Sequence, residues 1–191
     1  MPRGQLLVRR VLAVLAAVSL VVLGACGDDG GSTSDAPATG MDPDMDHSEH
    51  LNMGDASATP AAEAGGDLVS GSFEVLDTRP PGLDEVAGTA QLARRDDGTT
   101  VTVELTGLDP EASYIAHVHF GTCDEALGHY QFEEGGIAMP PNEIHLAFDA
   151  DADGGGFMTA ENDGVVGDDG RSVVVHPKDL MDNKIACADL G

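Results

Sequence analysis

From Thr99 to Thr106 apolar and polar side chains alternate, so that Val101, Val103 and Leu105 fall on one face of an extended chain and Thr100, Thr102 and Glu104 on the other. Similar short segments, alternating or continuously apolar, recur at 68–76, 88–94, 113–120, 144–149, 156–162, 172–176 and 185–188, with polar stretches between them. Asp96-Asp97-Gly98 and Asp153-Gly154 carry the residue types of tight hairpin turns. Strands so short and so regularly punctuated predict an antiparallel all-β domain over 67–191, a sandwich or barrel. Roughly 125 residues suffice for one such domain with one core. Aromatic residues make up 4% of the chain, which leaves the core to Val, Leu, Ile and Ala.

The first 66 residues follow a different pattern. Arg3, Arg9 and Arg10 precede an apolar run over 11–23, and Leu23-Gly24-Ala25-Cys26 closes it with small residues before a cysteine. The ending resembles a bacterial lipobox. An ordinary cleaved signal peptide and a membrane-spanning anchor are the competing readings, and about a dozen apolar residues are short for a span. Residues 1–25 are therefore expected to be a lipoprotein signal. Cys26 would carry lipid and tether the protein to the outer face of the bacterial cytoplasmic membrane. Residues 26–66, rich in Asp, Gly, Ser, Ala, Thr and Pro, read as a disordered tether. Within it Met41, Met45, His47, His50 and Met53 collect thioethers, which suit Cu(I), and imidazoles, which also suit Cu(II). This stretch is a candidate for copper capture, against the plainer reading of a solvated linker.

Chemistry concentrates in the β region. His117-Val118-His119 lies in a predicted strand, so both imidazoles project from one face. A lone pair of this kind is usually solvated, but this one has company. His176 ends the apolar run Ser172-Val173-Val174-Val175, and His129 follows Cys123 by six positions in a glycine-bounded loop. Four histidines on three separate elements suit a copper ion with an open position.

Gly170-Arg171-Ser172-Val173-Val174-Val175-His176, Lys184-Ile185-Ala186-Cys187, the His-Val-His strand and the Cys123/His129 spacing together resemble the copper/zinc superoxide dismutase family, over about 68–191. The resemblance implies a Greek-key topology, with superoxide as substrate. It makes His117, His119 and His176 copper ligands, His129 the imidazole that bridges to zinc in two-metal members, and Cys123 with Cys187 a disulfide. Such a bridge persists in an oxidising compartment, and the third cysteine, Cys26, is the one left for lipid.

Departures from the family pattern bear on mechanism. No histidine lies between His129 and His145, where Phe132, Glu133 and Glu134 stand instead, so zinc is expected to be absent. Glu143 falls near the zinc-site carboxylate of the family and is the candidate orienter of His129, against an exposed loop glutamate. His145 and Asp149 are set aside as strand positions. Lys184 replaces the guiding arginine without its planar fork, and only seven residues separate it from His176, which predicts an open approach.

The formal net charge is −25, which excludes nucleic acid as a partner. It also repels an anionic substrate, although screening beyond about 8–10 Å lets Lys178 and Lys184 act locally. The acidic runs read as solvated turns, with no EF-hand spacing. The expected function is an extracytoplasmic copper-dependent superoxide dismutase. A copper-binding or copper-delivery lipoprotein without turnover is the alternative, and a structural surface module a third.

Overall fold

The computed structural model describes residues 52–125 and 127–191. The leader, Cys26, Met41, Met45, His47 and His50 lie outside the described residues, whereas Met53 lies within them.

Eight strands form: β1 Asp67–Val75, β2 Ala87–Arg95, β3 Gly98–Thr106, β4 Ser113–Phe120, β5 His145–Asp149, β6 Gly156–Asn162, β7 Gly170–Pro177 and β8 Ala186–Asp189. Each matches an expected segment to within two residues. Their order is β5-β4-β7-β8-β1-β2-β3-β6, and every neighbouring pair is antiparallel. The connections from β3 to β4 and from β6 to β7 cross between distant positions in this order, which gives a Greek-key, nearly closed barrel. β1 joins the two halves, pairing with β2 over residues 67–72 and with β8 over residues 73–75. Gly71 lies just before that changeover, where a methyl group would collide with the Asp189 carbonyl oxygen, so the close approach requires glycine.

The alternation read from the sequence sets the core. Leu92, Val101, Val103, Leu105, Val118, Leu146, Val173 and Val175 are all buried inside the barrel. Each contributes roughly 1.5–3 kcal/mol of transfer free energy for a full side chain of this size. The Asp96-Asp97 turn joins β2 to β3, with Arg95 opposite Gly98, as the hairpin reading expects.

Two expectations are corrected. The turn at Asp153-Gly154 links β5 to β6, but these strands are the two ends of the sheet order rather than ladder partners. Part of the reason is that residues 52–55 bridge them. The Met53 carbonyl accepts from Ala147 N–H of β5 at 2.8 Å, Asp55 N–H donates to the Thr159 carbonyl of β6 at 2.7 Å, and the Asn52 amide donates to the Glu161 carbonyl. The tether therefore does not extend to residue 66. Beyond this strap a short helix, α1 Ala61–Ala64, buries Ala61, whose N–H donates to the Thr102 hydroxyl at 2.9 Å. That hydroxyl also meets the Thr159 hydroxyl at 2.8 Å, which explains why outward-facing threonines are buried. Backbone groups and small residues make this attachment, so no apolar periodicity announces it.

Candidate metal centre

Strand alternation places the histidines. On β4 Tyr114, Ala116 and Val118 enter the core, which turns His117 and His119 to the outer face. On β7 Val173 and Val175 enter the core, which turns His176 outward in the same way. Cross-strand register sets His117 opposite His145 of β5 and Val174 of β7, and Ile115 opposite His176. Three strands thus present His117, His119, His145 and His176 on one outer surface.

His129 arrives by a different route. β5 starts at His145, level with His117, so the next stretch of the β4 edge is open to the loop that follows β4. Phe120 N–H donates to the Gly128 carbonyl at 3.0 Å, and Tyr130 N–H to the Val118 carbonyl at 2.8 Å, so that His129 pairs with His119. Its ring stacks on His117 with centroids 4.0 Å apart and meets His119 edge-on at 4.8 Å. One ring nitrogen from each of His117, His119, His129 and His176 lies within 4.8 Å of all the others.

These rings fit a metal ion. His117, His119 and His176 are at most 3% exposed. Both ring nitrogens of His117 and His176, and Nε2 of His119, have no hydrogen-bond partner. Buried polar atoms left unpaired are costly, and here one nitrogen of each ring lies in the same cluster. Burial, reinforced by the neighbouring imidazoles, pushes the His117 pKa far below its usual value. Burial likewise lowers His119 to about 3 and, together with His129, His176 to about 4. Backbone groups of Met181 and Asn183 partly offset the shift at His176 without reaching hydrogen-bonding geometry. At neutral pH these three rings therefore offer lone pairs with no proton to displace. His119 Nδ1 lies 2.9 Å from the Leu127 carbonyl, which assigns the proton to Nδ1 and leaves Nε2 bare.

Behind His129 lies a second group. Glu143, 1% exposed, places Oε2 2.9 Å from His129 Nδ1 and 2.9 Å from His145 Nε2, while Oε1 accepts from the Gln131 amide at 2.8 Å. Burial alone would raise its pKa, but the bonds from His145, Gln131 and His129 outweigh that and hold it below the ordinary carboxylate value. The exposed-loop reading of Glu143 is thereby excluded, and Glu143 meets the ring it was expected to orient. His145 corrects the opposite expectation: it lies on a strand, yet it belongs to this group. The signal was available in the alternation, since Leu146 enters the core and so turns His145 outward, level with His117. Gln131 carried no sequence signal. Asp149 stays outside the group, exposed and accepting from the Ser113 hydroxyl at 2.5 Å.

Cys123 and Cys187 form the disulfide, with an S–S distance of 2.02 Å, and tie the start of the His129 loop to β8. Beside it a cleft of about 360 Å³ is lined by His119, Thr122, Leu127, Asp182 and Lys184 among others. Lys184 is half-buried, and its positive charge contributes to lowering the pKa of both His119 and His176.

Fold and site together define an antiparallel β-barrel with clustered His and Glu groups able to bind metal. No protein-family model matches the chain, and no curated protein matches it either.

Proposed function

We propose that this protein is a copper-dependent superoxide dismutase of the cell envelope, converting two superoxide ions and two protons into dioxygen and hydrogen peroxide. The observation that carries this reading is the setting of His129. Its Nδ1 is engaged by a buried carboxylate, so Nε2 is the nitrogen left for the cluster of His117, His119 and His176. Four imidazoles without a thiolate suit copper, and the resemblance to the copper/zinc dismutase family points the same way. Copper held by these four rings would supply the one-electron chemistry that oxidises one superoxide and reduces another.

The chain's own residues supply position and protons. Glu143 remains an acceptor for Nδ1–H, which fixes the His129 ring while Nε2 takes up and returns a proton. Lys184 borders the cleft beside His119 and attracts the anion against the overall negative charge. The zinc-free reading is supported by Glu143, which is held by His145 and Gln131 and occupies the far side of His129 with hydrogen bonds.

Cys26 is proposed to carry the lipid anchor that keeps the protein on the outer face of the bacterial cytoplasmic membrane. Residues 41–53 are proposed to capture copper for it. Met53, the last residue of that stretch, is hydrogen-bonded to Ala147, two residues along β5 from His145. Deleting 41–50, which spares the strap, should slow copper loading at limiting copper, and unchanged loading would remove the capture role.

Purified copper-loaded protein should dismute superoxide and hold copper without zinc. His129→Ala should lower turnover by about 100-fold or more, the scale of a lost general acid. Copper bound without turnover would instead favour a binding or delivery lipoprotein. Absence of bound copper would overturn both readings.

A further inference from the structure

Three donors surround Glu143, and only His129 among them belongs to the four-histidine cluster. The donor count fixes proton positions. For an ionised Oε2 to accept from two imidazoles at 2.9 Å each, His129 must carry its proton on Nδ1 and His145 on Nε2. The other tautomer of either ring would turn a lone pair toward the carboxylate. His145 then keeps a bare, buried Nδ1 with no partner. Its ring also meets His117 edge-on, with centroids 4.4 Å apart and planes at 79°.

His145 differs from the third donor in its surroundings. The Gln131 amide comes from a half-buried loop residue and holds Oε1, the oxygen that does not meet His129. The His145 side chain is 6% exposed and shares Oε2 with His129, so its loss would leave that oxygen one donor short where water has little access.

We infer that His145 is a positioning residue: it pins Glu143 Oε2 so that His129 is held in one tautomer and one orientation, and it braces His117 from the side. The clamp rests on the dismutase reading only for its purpose. A hydrogen-bond network of His145, Glu143 and Gln131 does for His129 what a second metal ion would otherwise do. Because His117 and His129 are stacked on each other, bracing both from His145 fixes the spacing of two cluster imidazoles at once.

Imidazole nitrogen NMR of the full chain without metal tests this directly. His129 should appear as a single Nδ1–H tautomer and His145 as a single Nε2–H tautomer. In His145→Leu, His129 should become a mixture of tautomers, and copper affinity should fall about 10-fold or more. His145→Gln places an amide N–H near the position of Nε2 and should restore the single His129 tautomer and most of the affinity. The inference is overturned if His145 in the unmodified protein carries its proton on Nδ1. It is equally overturned if folded His145→Leu keeps the single His129 tautomer and full affinity, or if folded His145→Gln restores neither. Should the leucine variant not fold, the native tautomers and the glutamine variant decide the matter. Turnover enters none of these readouts: an inactive protein with the expected tautomers would sink the dismutase reading alone, and an active one with mixed tautomers the clamp alone.

Discussion

At Glu143 two opposing effects meet, burial that disfavours the charge and three donors that favour it, and the donors win. The net result is an anion fixed at both oxygens, which is what makes it useful to His129. Glu143→Gln tests the charge while preserving the shape. An amide offers one acceptor oxygen in place of two, and its nitrogen would stand donor to donor against either Gln131 or the two imidazoles. The substitution should cut copper affinity or turnover by about 10- to 100-fold, the usual scale for groups that orient a ligand. Undiminished turnover and affinity in the folded variant would show that the carboxylate does not act through His129. Glu143 was legible in the sequence only through the family resemblance, because nothing local marks a loop glutamate as buried. His145 was legible as an outward strand residue, but the sequence could not show which loop would fold down over it.

Each strand that reaches the site has one job set by its register. β4 supplies His117 and His119, β7 supplies His176 at its end, and β5 stops at His145, leaving the β4 edge to the loop that carries His129. That loop is fastened near its start by Cys123–Cys187, a closure of 64 residues. Replacing both cysteines by alanine should cost about 4 kcal/mol in the chain-entropy account of a loop this long, seen as an earlier urea midpoint, with a slope no smaller because the unfolded chain is freed to expand. Copper affinity should fall as well, since the same loop supplies His129 and the Leu127 carbonyl that orients His119. An unchanged urea midpoint would show that packing alone holds the loop. All eight strands could be read from alternation and turn chemistry, because one-sided burial imposes a period of two. The relation of β5 to β6 could not. A turn sequence specifies that the chain reverses, not that its two arms pair, and here a third segment bonds to both.

Over the whole barrel, the buried histidines couple folding to pH. His117, His119 and His176 have folded pKa values below the value of about 6.5 that they regain when unfolded. Below that value the unfolded chain binds protons that the folded chain refuses, so stability is complete above about pH 6.5 and drains away as the pH falls toward 4 and 3. Glu143, also lowered, adds a loss in the same direction at more acidic pH. The urea midpoint of the metal-free protein should therefore stay nearly level from pH 7.5 to about pH 6.5 and fall from there to pH 5, and a flat profile down to pH 5 would show that these rings are not held neutral. The strap at residues 52–55 has a consequence on the same scale. A chain cut to begin at Asp67, where the alternating pattern starts, would retain every strand and every histidine of the centre. It would nevertheless leave Ala147 N–H and the Thr159 carbonyl without the partners that join β5 to β6. Thermal unfolding of 67–191 should come about 5 °C or more below that of 52–191, and its bared edges should promote self-association. A protease acting upstream of Asn52 would thus release a whole barrel from its proposed anchor, whereas one acting a few residues later would unbutton it; shedding and breakage are separated by the length of a single short peptide.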